Sequence, residues 1–363
     1  GDDPFFFVRV RTTDEHNSST DQSFVVTLTD VFEPGQNQHT VDLNSTVSLE
    51  MIWVEPGTFT MGSPVTEAGR QADREDEHNV SLTRGFYLGK YEVTQAQYEA
   101  VMTGNTDGLS ATPSQYSGNP NRPVEQVSWD DVQIFLTRLN ASEEAAGRLP
   151  TGWSYVLPTE SQWEYACRAG TTTAYSWGND INSSNANFGQ NIGQPIDVGQ
   201  YSANPWGFFD MHGNVWEWTA DWYDANYPTG NPVIDPAGPS SGSFRIKRGG
   251  AWNDGTSNLR AARRSSMTTP SNRDYGLGFR VGFQYNNNPP IDLNATAPLT
   301  IAENQPIGTV VGEFNATDPE GHTLTYQLVS GAGDTDNARF SLGSNGILTA
   351  NQTFNYSTDS LSY

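Results

Sequence analysis

The chain has 363 residues, with 42 acidic against 19 basic side chains, a net charge of −23 and a single cysteine. That field has the wrong sign for a general nucleic-acid binder, which holds phosphates with clustered Lys and Arg, and no apolar run approaches the length of a membrane span. One cysteine, Cys167, excludes an intramolecular disulfide, a CxxC redox pair and any multi-cysteine zinc site.

Two or three structural units are expected at this length. Near the start, Phe24–Thr29 alternates apolar and polar residues with period two, the pattern of a half-buried strand. A linker is placed at 35–45. After it the composition shifts, and every Trp lies between Trp53 and Trp252. Thr94 with Gln97 has capping-box spacing and opens a helix. Ser128 opens a second, with Val132, Phe135, Leu136 and Leu139 on one face and Gly147 at its end. Thr159 with Gln162 caps a third, whose Trp163, Ala166 and Cys167 share a stripe before Gly170. Beyond it come about a hundred residues rich in Gly, Asn, Pro and aromatics without a periodic run, which predicts a loop-rich α+β domain. Asn286–Pro290 punctuates the second boundary, and Thr323–Val329 again alternates as a strand does.

The chemical inventory is thin. His16, His39, His78, His212 and His322 show no HExxH or facial-triad spacing, and there is neither a GxSxG elbow nor a phosphate loop. Asp130 and Asp131 fall in a helix first turn, where they complement the macrodipole. Cys167 sits on an apolar stripe and reads as a small hydrophobe; Arg168 beside it points to another face. One segment stands out. Arg245, Lys247, Arg248, Arg260, Arg263, Arg264, Arg273 and Arg280 share a stretch containing only two acids, Asp254 and Asp274. These cations either form a pocket for an anionic or sugar ligand or neutralise acids elsewhere in the domain.

The strings "MIWVEPGTFTMGS", "GFYLGKYEVTQAQY", "RPVEQVSWDDVQIFL", "YVLPTESQWEYACRAG", "DMHGNVWEW", "KRGGAWND" and "GLGFRVGF" occur in order. Through them residues 46–285 resemble the formylglycine-generating enzyme, or sulfatase-modifying factor, family. The resemblance implies a loop-rich α+β fold related to C-type lectins. It also implies two copper-binding cysteines after the glycine pair, which oxidise a substrate cysteine. Here Asp254, or Asn253 by another gap, stands at the first, and Ser257–Leu259 supplies no second. Copper(I) selects soft thiolates, so copper is not expected and no catalytic residue is assigned. The family's calcium sites map to Asp210, Gly213, Val215 and Glu217, and to Asn187 and Phe188, where the following loop, Gly189–Gln194, is short. A salt bridge to an arginine is the alternative role for Glu217. The groove implied by the family contains Trp252, Asp254, Arg260 and Arg263, which become the candidate ligand-binding residues.

The flanks resemble cadherin-like repeats: Phe7–Pro34 the second half of one, and Ile301–Gly331 with the residues after it the first part of another. The implied organisation is 1–34 and 286–363 as partial all-β sandwich repeats of a longer array. Glu303, Asp318 and Glu320 supply hard oxygen ligands for junction calcium; Asp14 and Asp30 match later ligands, and Ser357 replaces a customary Glu. Together these features lead to an expectation of a secreted or cell-surface recognition protein with structural calcium. Its partners would be neighbouring repeats and a surface glycan or protein. An oxidase on the same scaffold, or a purely structural spacer, are the alternatives.

Overall fold

In the computed structural model, which describes residues 5–13, 19–27, 35–72, 74–227, 230–285, 291–317, 324–329 and 336–355, each capping signature opens a helix. These are α1 (Gln95–Met102), α2 (Trp129–Ala145) and α3 (Glu160–Arg168). Each starts with a closed box. Thr94, Ser128 and Thr159 accept the N–H three residues on, and the side chains of Gln97, Asp131 and Gln162 reach back, satisfying two orphan amides per helix. Val132, Phe135, Leu136 and Leu139 of α2 are buried as their spacing requires. α3 stops where Ala169 and Gly170 turn left-handed, at φ 48° and 85°.

The remainder is mostly strand and loop. One sheet has the order Gln38–Asp42, Ser48–Val54, Phe86–Gly89, Gly282–Tyr285, Trp153–Val156. A second runs Ser265–Thr268, Arg245–Arg248, Trp216–Trp222, Leu277–Gly278, with the last strand parallel to its neighbour. A third joins Val233–Ile234, His78–Leu82 and Gly57–Met61. The main core gathers Trp163, Ala166 and Cys167 of α3 against Val54, Leu82, Phe86, Leu88, Phe208 and Met211. Phe135 of α2 stacks on Tyr98 of α1 at 5.5 Å and meets Phe279 edge-on at 5.2 Å.

The chain divides into two units, Gly1–Pro150 with Ser154–Gln284, and Thr151–Trp153 with Tyr285–Tyr363. Within the first, Phe5–Thr13 and Ser19–Thr27 form a hairpin in register from Phe5↔Thr27 to Thr13↔Ser19. Gln38–Asp42, inside the stretch whose composition predicts a linker, is a strand paired along its length with Ser48–Val54. Its one apolar residue, Val41, is buried, and the ring of His39 stacks on Phe283 at 5.1 Å. A single apolar position is too little alternation to betray a strand. The second unit holds an antiparallel sheet in the order Ile291–Ala295, Val310–Thr317, Ile347–Ala350, Phe340–Leu342. Leu324–Val329, expected as strand, is irregular: Leu324 and Tyr326 are half-buried while Leu328 and Val329 are exposed, so the alternating face is only partly covered. Asp14, Asp30, Asp318, Glu320 and Ser357 lie outside the described residues, as does the Asn286–Pro290 boundary.

Candidate functional site

The strand Arg245–Arg248 ends in Gly249 and Gly250, both left-handed at φ 93° and 77°. A Cβ on Gly250 would lie 2.8 Å from Leu259 Cδ1, so only glycine lets the chain fold back here. The returning loop is closed by Asp254. Its Oδ2 accepts Trp216 Nε1–H at 2.6 Å and Ala251 N–H at 3.0 Å, and its Oδ1 accepts Asn258 Nδ2–H at 2.6 Å. The position expected for a copper-binding cysteine thus carries a carboxylate engaged in holding the turn. Trp252 is buried, edge-on to Tyr116 at 5.5 Å and 5.8 Å from the Tyr275 ring.

The basic segment is mostly paired inward. Arg248 binds Glu160 and Glu164, Arg264 binds Glu160, Arg273 binds Asp131, and Arg280 binds Glu217. Arg260, a candidate ligand residue, is itself buried between Glu67 and Glu75 at 2.5 and 2.8 Å. That pairing makes it part of the frame. Arg245 lies between two indoles, 3.6 Å from the ring centroid of Trp129 and 3.5 Å from that of Trp222, and Lys247 faces the Trp216 ring at 5.1 Å. Arg263, like Arg245, has no carboxylate ion pair among the described residues and a buried Nε without a hydrogen bond, but no aromatic ring is stacked on it there. Burial holds its pKa below the ordinary arginine value, a sign of desolvation without full compensation.

Two of the expected calcium ligands meet a charge cluster. Glu217 is fully buried, and its oxygens accept Arg280 Nε–H and Nη2–H, each at 2.6 Å, while Oε2 also accepts Trp163 Nε1–H at 2.7 Å. This is the arginine pair foreseen as its alternative role. Asp210 accepts Gly199 N–H at 2.7 Å through Oδ2, and burial pushes its pKa up to about 6. Glu92, also fully buried, takes Asn214 Nδ2–H and Val215 N–H, fixing the turn that contains Gly213 and Val215. Burial and then Asp210 and Glu217 hold its pKa well above the carboxylate range. Asn187 donates to Gln194 O and to Asn214, while its Oδ1 is buried with no partner among the described residues. Phe188 O accepts Asn191 N–H, and Phe188 packs against Leu259 and its neighbours. Glu303 lies in the irregular stretch before Val310–Thr317.

Cys167 has a partner that spacing did not disclose. Its Sγ is 3.5 Å from His212 Nε2. That nitrogen also accepts Ser176 N–H at 3.1 Å, so Nδ1 carries the proton and donates to Leu259 O at 2.7 Å. The imidazole is neutral, burial holding its pKa down at about 4, and the thiol's pKa is driven up by burial. A neutral acceptor does not stabilise a thiolate. Other groups escaped the sequence reading: Glu92, Glu67 and Glu75, and Glu125, a buried carboxyl pushed up to about 7 whose Oε2 has no partner among the described residues. For Glu92 and Glu125 the signal was an acid beside valine, as in Tyr91-Glu92-Val93 and Val124-Glu125, whereas Glu67 and Glu75 lie in a polar stretch that offers none.

The family model for the sulfatase-modifying factor enzyme 1-like domain matches residues 38–284. The chain is 35% identical over 186 residues to a formylglycine-generating enzyme of Streptomyces coelicolor, covering 46% of this chain and 54% of that relative. It therefore spans about half of that protein's length. Among solved structures, PvdO from Pseudomonas aeruginosa is similar at a TM-score of 0.59 and 27% identity, covering 70% of this chain and 100% of that one. The Treponema denticola variable protein 1 is similar at 0.56 and 25%, covering 68% and 98%.

Proposed function

The chain belongs to the sulfatase-modifying factor enzyme 1-like family through residues 38–284, and from that premise we propose that it uses the scaffold to bind rather than to oxidise. The observation that carries this reading is Arg263, a half-buried cation within the field of Asp254 and without a carboxylate partner among the described residues. Its terminal guanidinium nitrogens, rather than the enclosed Nε, are suited to bind a carboxylate or sulfate on a surface glycan or protein. The loop supports the same reading: a carboxylate locked by three hydrogen bonds replaces the first thiol, and the one cysteine of the chain is a core residue. The test incubates the protein with copper, oxygen and a CxPxR peptide and weighs the peptide. An unchanged mass supports binding, and a loss of about 18 mass units, cysteine to formylglycine, overturns it.

Calcium enters this reading as a structural ion. Asn187 fits it, since it places a buried oxygen without a partner among the described residues near the turn fixed by Glu92, and Asp210, half-buried, adds a carboxylate whose Oδ2 accepts Gly199 N–H. Glu217 fits less well, because Arg280 and Trp163 already engage its oxygens. A divalent cation would offset Glu92, Asp210 and Glu217, which face one guanidinium. The flanks are read as parts of cadherin-like repeats, with Glu303, Asp318 and Glu320 as junction ligands and the cell surface or exterior as the location. The β-hairpin and the antiparallel second unit support that assignment.

A further inference from the structure

Buried carboxylates of the central domain are paired with arginine, and the 19 basic side chains of the chain include only two lysines, Lys90 and Lys247. Lys90 is spent on Glu50, at 2.9 Å. Lys247 is not. It sits on the strand Arg245–Arg248 between Trp218 and Ser265 of the adjacent strands. Its side chain leaves the sheet on the side opposite Ile246 and Arg248, which are buried. There the ammonium lies 5.1 Å from the centroid of the Trp216 ring. Among the described residues it has neither a hydrogen bond nor an ion pair, and the residue is half-buried rather than enclosed.

Lysine is the one cation of this basic segment that can give up its proton, because a guanidinium stays charged at any working pH. Burial lowers the pKa of Lys247 against the pull of Asp274 and Asp254, whereas Glu50 raises that of Lys90. Neither Asp274 nor Asp254 is within ion-pair reach of the ammonium, and Asp254 spends both oxygens on Trp216, Ala251 and Asn258. An anion arriving at Lys247 enters the field of both carboxylates, which works against recognition by charge alone. A neutral carbonyl compound meets no such barrier. Its condensation with the amine gives a protonated imine, again a cation, which the ring and the two carboxylates stabilise as they do the ammonium.

We propose that Lys247 is a covalent attachment site for a small neutral aldehyde, captured as an imine against the Trp216 ring. Overall, a C–N bond forms at the carbonyl carbon and the C=O bond breaks. The oxygen leaves as water with two protons of the ammonium, and the third stays on nitrogen, so neither oxidant nor reductant takes part. The site does not use Arg263, so either proposal can fail alone. The test exposes the full chain near neutral pH to propionaldehyde with cyanoborohydride, which reduces each imine to a stable amine, and locates the label by peptide mass spectrometry. Lys247 is expected to label at least about tenfold faster than Lys90, the ratio that one unit between two amine pKa values gives the neutral fraction. In concentrated urea the two rates converge. Labelling of Lys247 no faster than that of Lys90 overturns the proposal. So does a preference for Lys247 that survives urea, since it would belong to the local sequence and not to the folded site. A larger folded-over-unfolded rate ratio at Lys247 for glyoxylate than for propionaldehyde also overturns it, by making Lys247 an anion contact.

Discussion

Arg280 forks both carboxylate oxygens of Glu217, each at 2.6 Å, and neither side chain reaches solvent. The guanidinium also donates to Gly89 O and Phe209 O, so one pair ties the strand Trp216–Trp222 to the strand Phe86–Gly89 and to the loop before Asp210. Glu217→Gln would strand a buried cation among these carbonyls. The expected loss is about 3–5 kcal/mol of unfolding free energy, read by urea denaturation; a loss under about 1 kcal/mol would show the pair to be incidental.

Asp210 lies beside this pair in a cluster where carboxylates outnumber guanidinium groups. Added calcium is expected to raise the unfolding midpoint by binding the folded chain alone. Asp210→Asn should remove most of that rise. A midpoint that ignores calcium in the wild-type chain would eliminate the ion from this site and from the junctions together.

Arg260 and Arg263 are three residues apart and should behave oppositely. Arg260→Ala leaves Glu67 and Glu75 without their partner and is expected to cost about 3–5 kcal/mol of stability. Arg263→Ala removes an incompletely compensated cation, so stability should hold or rise while affinity for an acidic ligand, measured by calorimetry with a sulfated or uronic oligosaccharide, falls at least tenfold. Retained affinity in Arg263→Ala would remove the groove from the functional account.

Of the carboxyls that burial holds above their ordinary range, Glu92 and Asp210 among them, two are pushed to about neutrality. Burial, and then Glu160, push Asp221 up to about 7 against the pull of Arg264 and Arg248; burial pushes Glu125 to about 7, with Asp274 adding to it. Each holds a proton in the folded chain over a range where the unfolded carboxyl has released it. Their stabilising effect is complete below the ordinary carboxylate range and is lost as pH rises through about 7. For Asp221 the slope is about 1.4 kcal/mol per pH unit across that window. Denaturation midpoints should therefore fall between mildly acidic and mildly alkaline buffer, and Asp221→Asn should flatten the decline. An undiminished slope in that variant would point to other groups.

Cys167 donates to a neutral His212 inside the core. Its alkylation by iodoacetamide is expected only at the rate of unfolding, rising with denaturant. Fast labelling of the native chain would contradict the buried pair.

Much of the central domain was legible in order along the chain. The three capping boxes, the α2 stripe, the glycine pair that only glycine can occupy, and the single thiol are properties of short spacings or of the residue inventory, and they hold wherever the segments end up. The loop-rich stretch after Gly170 could be recognised as irregular but not traced, because its backbone is satisfied by distant groups, as Gly189 is by Asp254 O and Val215 by Glu92. Arg260 meets Glu75 across 185 positions and Arg280 meets Glu217 across 63. No local rule selects among 42 acids for 19 bases. Residue spacing therefore determined the helices, the turn and the absence of a second thiol. Tertiary packing alone decided which charges are spent on one another, because that depends on which loops share a buried volume, and it left Arg263 and Lys247 with atoms to spare.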